Sequence, residues 1–306
     1  MRVGIENPVG LSLASRPLVL INAVILGLVL SAGAARGQTY EVVHSFTGNN
    51  EGGLPDGVIQ ARDGNFYGTT RIGGVPINNN PARGTVFKMD AAGTVTTLHS
   101  FSVTDSFTQI DGASPLAGVI QGSDGSFYGT TSIAGRTPSG ATGAGTVFKI
   151  DASGAYSTLH VFAITDGANP AAGLIQATDG AFYGTTSRGG VGLLGQGTVF
   201  KVTAGGVFTL LHTFLPSSGE GYFPLAGVIQ ANDGNFYGTT SQGGTGYGTV
   251  FKMTPAGTVT VVHFFTQTGA SPEGSHAALI QAADGNLYGT TFRGGSNGTG
   301  KAARRW

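Results

Sequence analysis

The chain of 306 residues contains no cysteine. A disulfide, a Cys-ligated zinc, an iron–sulfur cluster and a thiol nucleophile are therefore excluded. Charge is also scarce. Only 10% of residues are Asp, Glu, Lys or Arg, against about 25% in an ordinary soluble domain. Sixteen basic residues balance sixteen acidic ones, and the clustered Lys and Arg that hold nucleic-acid phosphates are missing. No window keeps a helical period, because Gly and Pro interrupt every candidate. The longest apolar run, Pro17 to Leu30, falls short of the roughly 18–20 residues of a permanent membrane span.

What is abundant is glycine, 54 residues, on a background that is 40% apolar. That apolar share argues against disorder, and there is no collagen-type glycine period. The first 37 residues stand apart. Arg2 and Arg16 precede the apolar run, and Ala32 and Ala34 follow it in an A-x-A arrangement. Charge, a short apolar stretch and small residues in that order predict a secretory signal peptide over 1–37. Cleavage there removes Arg2, Arg16, Arg36 and Glu6 and leaves a weakly acidic chain starting near Gln38. The expected location is extracytoplasmic, with no stable membrane span after cleavage.

The rest of the chain is a repeat. IQARDGNFYGTT at 59–70 recurs at 120–131, 175–186, 229–240 and 280–291 with small changes. GTVFK follows at 84–88, 145–149, 197–201 and 248–252. A third segment places His before Phe: VHSF at 43–46, LHSF at 98–101, LHVF at 159–162, LHTF at 211–214 and VHFF at 262–265. Each unit reads as four strands. The first ends in Ile-Gln, and Asp-Gly then marks a tight hairpin whose glycine needs positive φ. FYGTT, TVFK and the His-containing segment are the second, third and fourth strands, rich in aromatic and β-branched residues. Four antiparallel strands in about 50 residues, repeated, is the unit of a β-propeller blade. The predicted fold is all-β: four complete blades and an incomplete fifth over 38–299, followed by an aberrant tail at 300–306. In the fourth strand, alternation puts Val95, Thr97, His99 and Phe101 on one face and Leu98 on the other.

The succession DGNFYGTT, GG, GTVFK, LHSF resembles the GloVer tandem-repeat family of exported bacterial proteins, and the resemblance spans roughly residues 40–299. It implies export and a propeller-like repeat fold. It carries no catalytic residues over to this chain. The resemblance also implies a choice of C-terminal anchors, and none is expected within residues 300–306.

Few residues are candidates for chemistry. His44, His99, His160, His212 and His263 occupy one repeat position, beside a Phe on an apolar face, where a buried hydrogen bond is expected. His276 does not. Asp63, Asp124, Asp179, Asp233 and Asp284 each stand alone before Gly, which suits a turn and lacks the neighbouring oxygens of a calcium loop. Lys88, Lys149, Lys201 and Lys252 are expected at strand ends. Gln60, Gln121, Gln176, Gln230 and Gln281 end the strand expected to line the central channel, so their amides are the candidate binding groups at its mouth. Asp105 and Asp111 read as loop acids. No catalytic, metal or cofactor residue is assigned.

Three roles are then open. The first is a noncatalytic binder of a surface protein or polysaccharide, through variable loops on a rigid scaffold. The second is a propeller enzyme of lyase or lactonase type acting at the channel mouth, which rests on analogy of fold alone. The third is a structural surface component. In the expected arrangement, residues 40–46 form a fourth strand for the last unit. GTVFK there is replaced after Gly298-Thr299, which predicts a missing third strand and exposed sheet edges.

Overall fold

A computed structural model describes residues 40–76, 82–102, 111–133, 135, 143–191, 195–265, 276–291 and 303–305. The expected signal peptide and Asp105 lie outside them. The chain divides into Met1–Val42 and Val43–Trp306, and the second unit carries all the strands.

Blade one comprises β1 (Gly53–Gln60), β2 (Phe66–Ile72), β3 (Ala82–Met89) and β4 (Val95–Ser102). Blade two comprises β5 (Ile120–Gln121), β6 (Phe127–Thr131), β7 (Thr146–Ile150) and β8 (Tyr156–Val161). Blade three comprises β9 (Ile175–Gln176), β10 (Phe182–Thr186), β11 (Thr198–Val202) and β12 (Phe208–Thr213). Blade four comprises β13 (Ile229–Gln230), β14 (Phe236–Thr240), β15 (Thr249–Met253) and β16 (Val259–Phe264). Blade five comprises β17 (Ile280–Gln281), β18 (Leu287–Thr290) and β19 (Ala303–Arg305). Each sheet is ordered as its sequence runs, and every pairing is antiparallel. Among the described residues this is a β-propeller with four four-stranded blades and a three-stranded fifth. The five Asp-Gly hairpins put Gly64, Gly125, Gly180, Gly234 and Gly285 at positive φ.

Consecutive blades pack through aromatics. Tyr67 of β2 stacks on Phe127 of β6 at 3.9 Å, Tyr128 on Phe182 at 3.8 Å, and Tyr183 on Phe236 at 4.2 Å. The Phe that closes the fourth strand meets the Phe of the next blade's third strand, as Phe101 meets Phe148 and Phe162 meets Phe200. All of these phenylalanines are buried. Each removes about 1.5–3 kcal/mol worth of apolar surface from water. A sheet sandwiched between neighbours must be apolar on both faces, which is why FYGTT and TVFK carry no clean polar alternation.

Two expectations need correction. Leu98 does not lie opposite Phe101. Val86 pairs with His99 but Phe87 pairs with Thr97, so Leu98 is an extra residue, a β-bulge. The same slip leaves out Leu159, Leu211 and Val262 in the other complete blades. The bulge lets Leu98, His99 and Phe101 all face blade two: Leu98 and Phe101 join its core, and His99 stacks on Tyr156 at 3.9 Å. The third strand of the last blade is not missing either. Ala303, Arg304 and Arg305 pair with Thr290, Gly289 and Tyr288, the register in which Val147, Phe148 and Lys149 pair with Thr130, Gly129 and Tyr128. Ladder bonds use backbone groups alone, so a sequence unlike TVFK still forms the strand. Residues 40–46 belong to no strand.

Candidate functional site

Polar groups recur in three constellations, and each joins elements far apart in sequence. The first contains the glutamines. The Nε2 atoms of Gln60, Gln121, Gln176, Gln230 and Gln281 donate to the carbonyls of Gly64, Gly125, Gly180, Gly234 and Gly285 in their own hairpins. The Oε1 atoms of the last four accept from the preceding blade's hairpin: Arg62 N to Gln121 at 3.0 Å, and Ser123, Thr178 and Asn232 N to Gln176, Gln230 and Gln281, each at 2.8 Å. The structure therefore places these residues in one repeating position and uses the amides of Gln121, Gln176, Gln230 and Gln281 to staple two blades, while Gln60 bonds within its own hairpin.

The second constellation surrounds the hairpin aspartates. Oδ1 of Asp124 accepts from Ser126 N, and Oδ2 accepts from the Tyr128 hydroxyl at 2.7 Å and from Lys149 Nζ at 2.9 Å. Asp179 with Tyr183 and Lys201, and Asp233 with Tyr237 and Lys252, repeat this arrangement. Asp63 and Tyr67 do the same, with Lys88 at 3.6 Å. The register explains the contact, because each lysine lies directly opposite its tyrosine across the ladder. Each lysine also sits 5.6–5.7 Å from the centre of that tyrosine ring, within cation–π range. The Asn65 amide leads the groups that hold Asp63 down at about 2, against the opposing effect of burial. Burial, then the hydrogen bond to Asp63 and its charge, push the Tyr67 hydroxyl up to about 12. For Asp124, Asp179 and Asp233 burial works against ionisation, but the lysine and the other donors outweigh it and keep each carboxyl low.

The third constellation links four of the five repeat histidines to a carboxylate of the following blade. His99 Nε2 lies 3.1 Å from Asp111, His160 3.1 Å from Asp166, His212 2.8 Å from Glu220 and His44 3.1 Å from Glu51. The backbone carbonyl of each acid accepts from a third-strand threonine, Thr85, Thr146, Thr198 or Thr249. That threonine is paired with a second-strand threonine at 2.7–2.9 Å. Asp111, which reads from sequence as a loop acid, is thus 5% exposed and bound to His99. The signal for these acids is present in the sequence as acid-Gly-x-x-Pro: Glu51 to Pro55, Asp111 to Pro115, Asp166 to Pro170 and Glu220 to Pro224. The variable length between His and acid hides it.

The residue before each of those prolines has positive φ without being glycine: Leu54, Ser114, Asn169 and Phe223, at 53–56°. Such a conformation costs about 1–3 kcal/mol and persists only where surroundings enforce it. Here they do. Ser114 N donates to the Arg83 carbonyl, and the Ser114 carbonyl accepts from both the backbone N–H and the hydroxyl of Ser132. Asn169 with Ser187, and Phe223 with Ser241, repeat the clamp.

Beside blade one an open cleft of about 770 Å³ is lined by Thr47, Asn49, Asn50, Glu51, Gly73 and Pro76, among others. Asn49 and Asn50 are exposed. Glu51 is committed, to the Thr47 N–H and hydroxyl through Oε1 and to His44 through Oε2. Those Thr47 bonds hold its carboxyl below the usual range. Among the described residues no group of three or more His, Asp or Glu is placed to hold a metal ion.

A model of the Gloeobacter/Verrucomicrobia repeat matches residues 26–190 and 101–303. The chain belongs to this repeat family. No curated protein matches the sequence. Among solved structures, this member of the family is similar to a streptogramin B lyase, with 15% identity over 82% of this chain and 65% of the lyase and a TM-score of 0.49. It is also similar to a gluconolactonase from Xanthomonas campestris, with 15% identity, 78% and 69% coverage and a TM-score of 0.44. A third similar structure is an endo-arabinase from Bacteroides thetaiotaomicron, with 16% identity, 86% and 98% coverage and a TM-score of 0.42. The repeat chain thus spans just under two thirds of the lyase. Among the described residues no helix is long and apolar enough to cross a membrane.

Proposed function

We propose that the chain is an exported, noncatalytic propeller that binds an uncharged polysaccharide at the cleft beside blade one. The carrying observation is the cleft's composition. Asn49 and Asn50 offer exposed amides, each with donors and an acceptor, the pairing that suits adjacent hydroxyls. Its one carboxylate, Glu51, is already engaged by Thr47 and His44.

The electrostatics of the cleft carboxyl supports the same reading. The Thr47 bonds hold Glu51 toward the ionised form. A general acid needs the opposite shift. The rim formed by Gln60, Gln121, Gln176, Gln230 and Gln281 enters as a secondary contact: Gln176 spends both N–H groups on Gly180 and Ser123, while the other four each use one in their own hairpin and keep a second for a ligand. The charged, apolar and small-residue order of 1–37 supports export.

The test is a binding screen of the exported protein against neutral and charged polysaccharides and surface-protein extracts, followed by titration calorimetry. Binding to a neutral polysaccharide that falls at least tenfold in the Asn49→Ala/Asn50→Ala variant, with unchanged melting, is expected. Equal binding by both proteins, binding only to protein, or turnover of the carbohydrate would reject the reading.

A further inference from the structure

Each interface between blades has an inner and an outer half. In blades two, three and four the inner half presents Val119, Leu174 or Val228 and Phe127, Phe182 or Phe236 to the preceding blade, and all are buried there. The same positions in blade one are Val58 and Phe66. Val58 is 54% exposed, and Phe66 is only half-buried. The Oε1 of Gln60 also lacks the neighbouring hairpin N–H that the side-chain oxygens of the other four glutamines receive, among the described residues.

The outer half of blade one is nevertheless covered, by residues 43–46. The Val43 carbonyl lies against Gly93 as the Leu98 carbonyl lies against Gly154. The Phe46 ring is 4.9 Å from Phe87, as Phe101 is 5.3 Å from Phe148. His44 reaches Glu51 as His99 reaches Asp111. Residues 43–46 thus occupy, three contacts out of three, the place of a preceding blade's fourth strand. Blade one thus carries a segment in the place of a preceding blade's fourth strand, while Val58 on the same face is left exposed.

Blade five is the complement. It has three strands, and β19 pairs with β18 alone among the described residues. The Ile before each first-strand glutamine packs toward the following blade and is half-buried in Ile59, Ile120, Ile175 and Ile229. Its counterpart Ile280 is 64% exposed. Blade five also carries Tyr288 at the position from which Tyr67, Tyr128 and Tyr183 stack on the next blade.

We infer that blade five of one copy docks on blade one of a second copy, with residues 43–46 of the second copy completing the docked blade as its fourth strand. Ile280 then packs toward the Val58 face, and Tyr288 reaches Phe66, repeating the contacts between blades within one chain. The β19 edge gains main-chain bonds, which is strand addition to an open sheet edge. The contact is head-to-tail, using a different surface on each partner, so copies assemble into a closed ring or a filament. The inference is independent of the polysaccharide cleft.

The test uses the exported protein and two variants, Val58→Arg and Ile280→Arg, in sedimentation velocity. Both substitutions are on exposed side chains, and circular dichroism checks that folding is unchanged. The wild type is expected to associate as concentration rises, and each variant alone is expected to be monomeric. Mixed together, the variants should form a one-to-one dimer, because Val58→Arg keeps an intact blade five and Ile280→Arg an intact blade one. A wild type that stays monomeric, as it would if its own two faces met, overturns the inference. So does association that survives both substitutions, or a mixture that yields no dimer.

Discussion

Gly180 and Gly184 sit four residues apart and are glycines for unrelated reasons. Gly180 closes the blade-three hairpin at φ +79, and a Cβ placed on it would meet nothing within 4 Å. Its replacement by Val therefore costs only the left-handed backbone penalty, about 1–2 kcal/mol. In a domain of this size that lowers the melting midpoint by about 2–8 °C. Asn, which tolerates this conformation, should cost less than Val. Gly184 lies in β10 without positive φ, and a Cβ there would be 2.6 Å from Phe200 Cζ and 2.7 Å from Leu174 Cδ2. Both neighbours are buried, so Gly184→Ala overpacks the core at about 1–3 kcal/mol. Urea denaturation separates the two mechanisms, with the slope checked for constancy. Phe200→Leu in the same chain should relieve part of the Gly184→Ala cost and none of the Gly180→Val cost. The reasoning fails if Asn at 180 is as damaging as Val, or if Gly184→Ala leaves the midpoint unchanged.

Alkaline titration should resolve the hairpin tyrosines. Burial and the neighbouring aspartate raise Tyr67 to about 12 and shift Tyr128, Tyr183 and Tyr237 in the same direction. Their contribution to stability is fully present below the unfolded value of about 10 and is lost as pH rises through the folded values. Phenolate absorbance should show a late step that disappears in urea; a single ordinary step would contradict the Asp–Tyr contacts. At the acid end, burial opposes ionisation of Glu220, but the His212 hydrogen bond outweighs it and lowers its pKa. That stabilisation is present above the unfolded value of about 4.3 and is lost as pH falls through the folded one. Glu220→Gln should flatten the acid limb of a stability–pH curve, and an unchanged limb would remove Glu220 from the account. His160→Ala removes the Asp166 contact and a stack on Phe208 at 3.6 Å, so a loss of about 1–3 kcal/mol is expected by denaturation, whereas a neutral result would mean that His160 does not join the blades. N-terminal sequencing of the secreted protein should begin near Gln38; recovery of Met1 would rule out cleavage.

The repeat unit was legible because its information is local. Five copies of the Asp-Gly hairpin, with its glycine at positive φ, and four of GTVFK specify four complete antiparallel blades and a fifth through turn chemistry and β propensity, which act within a few residues. The tertiary structure alone decided what each polar residue touches. Gln121 reads as a rim amide until Arg62, 59 positions earlier, is brought against it. Asp111 reads as a loop acid until a bulge at Leu98 turns His99 toward blade two. Strict alternation misplaces Leu98, because one extra residue in a ladder resets which face follows. Ala303–Arg305 has no resemblance to TVFK, yet it forms a strand because the backbone of β18 offers bonds to any chain in register. Local sequence specifies strands and turns through short-range sterics. Partners across blades depend on how the stack brings distant segments together, and that is set by packing of the whole array.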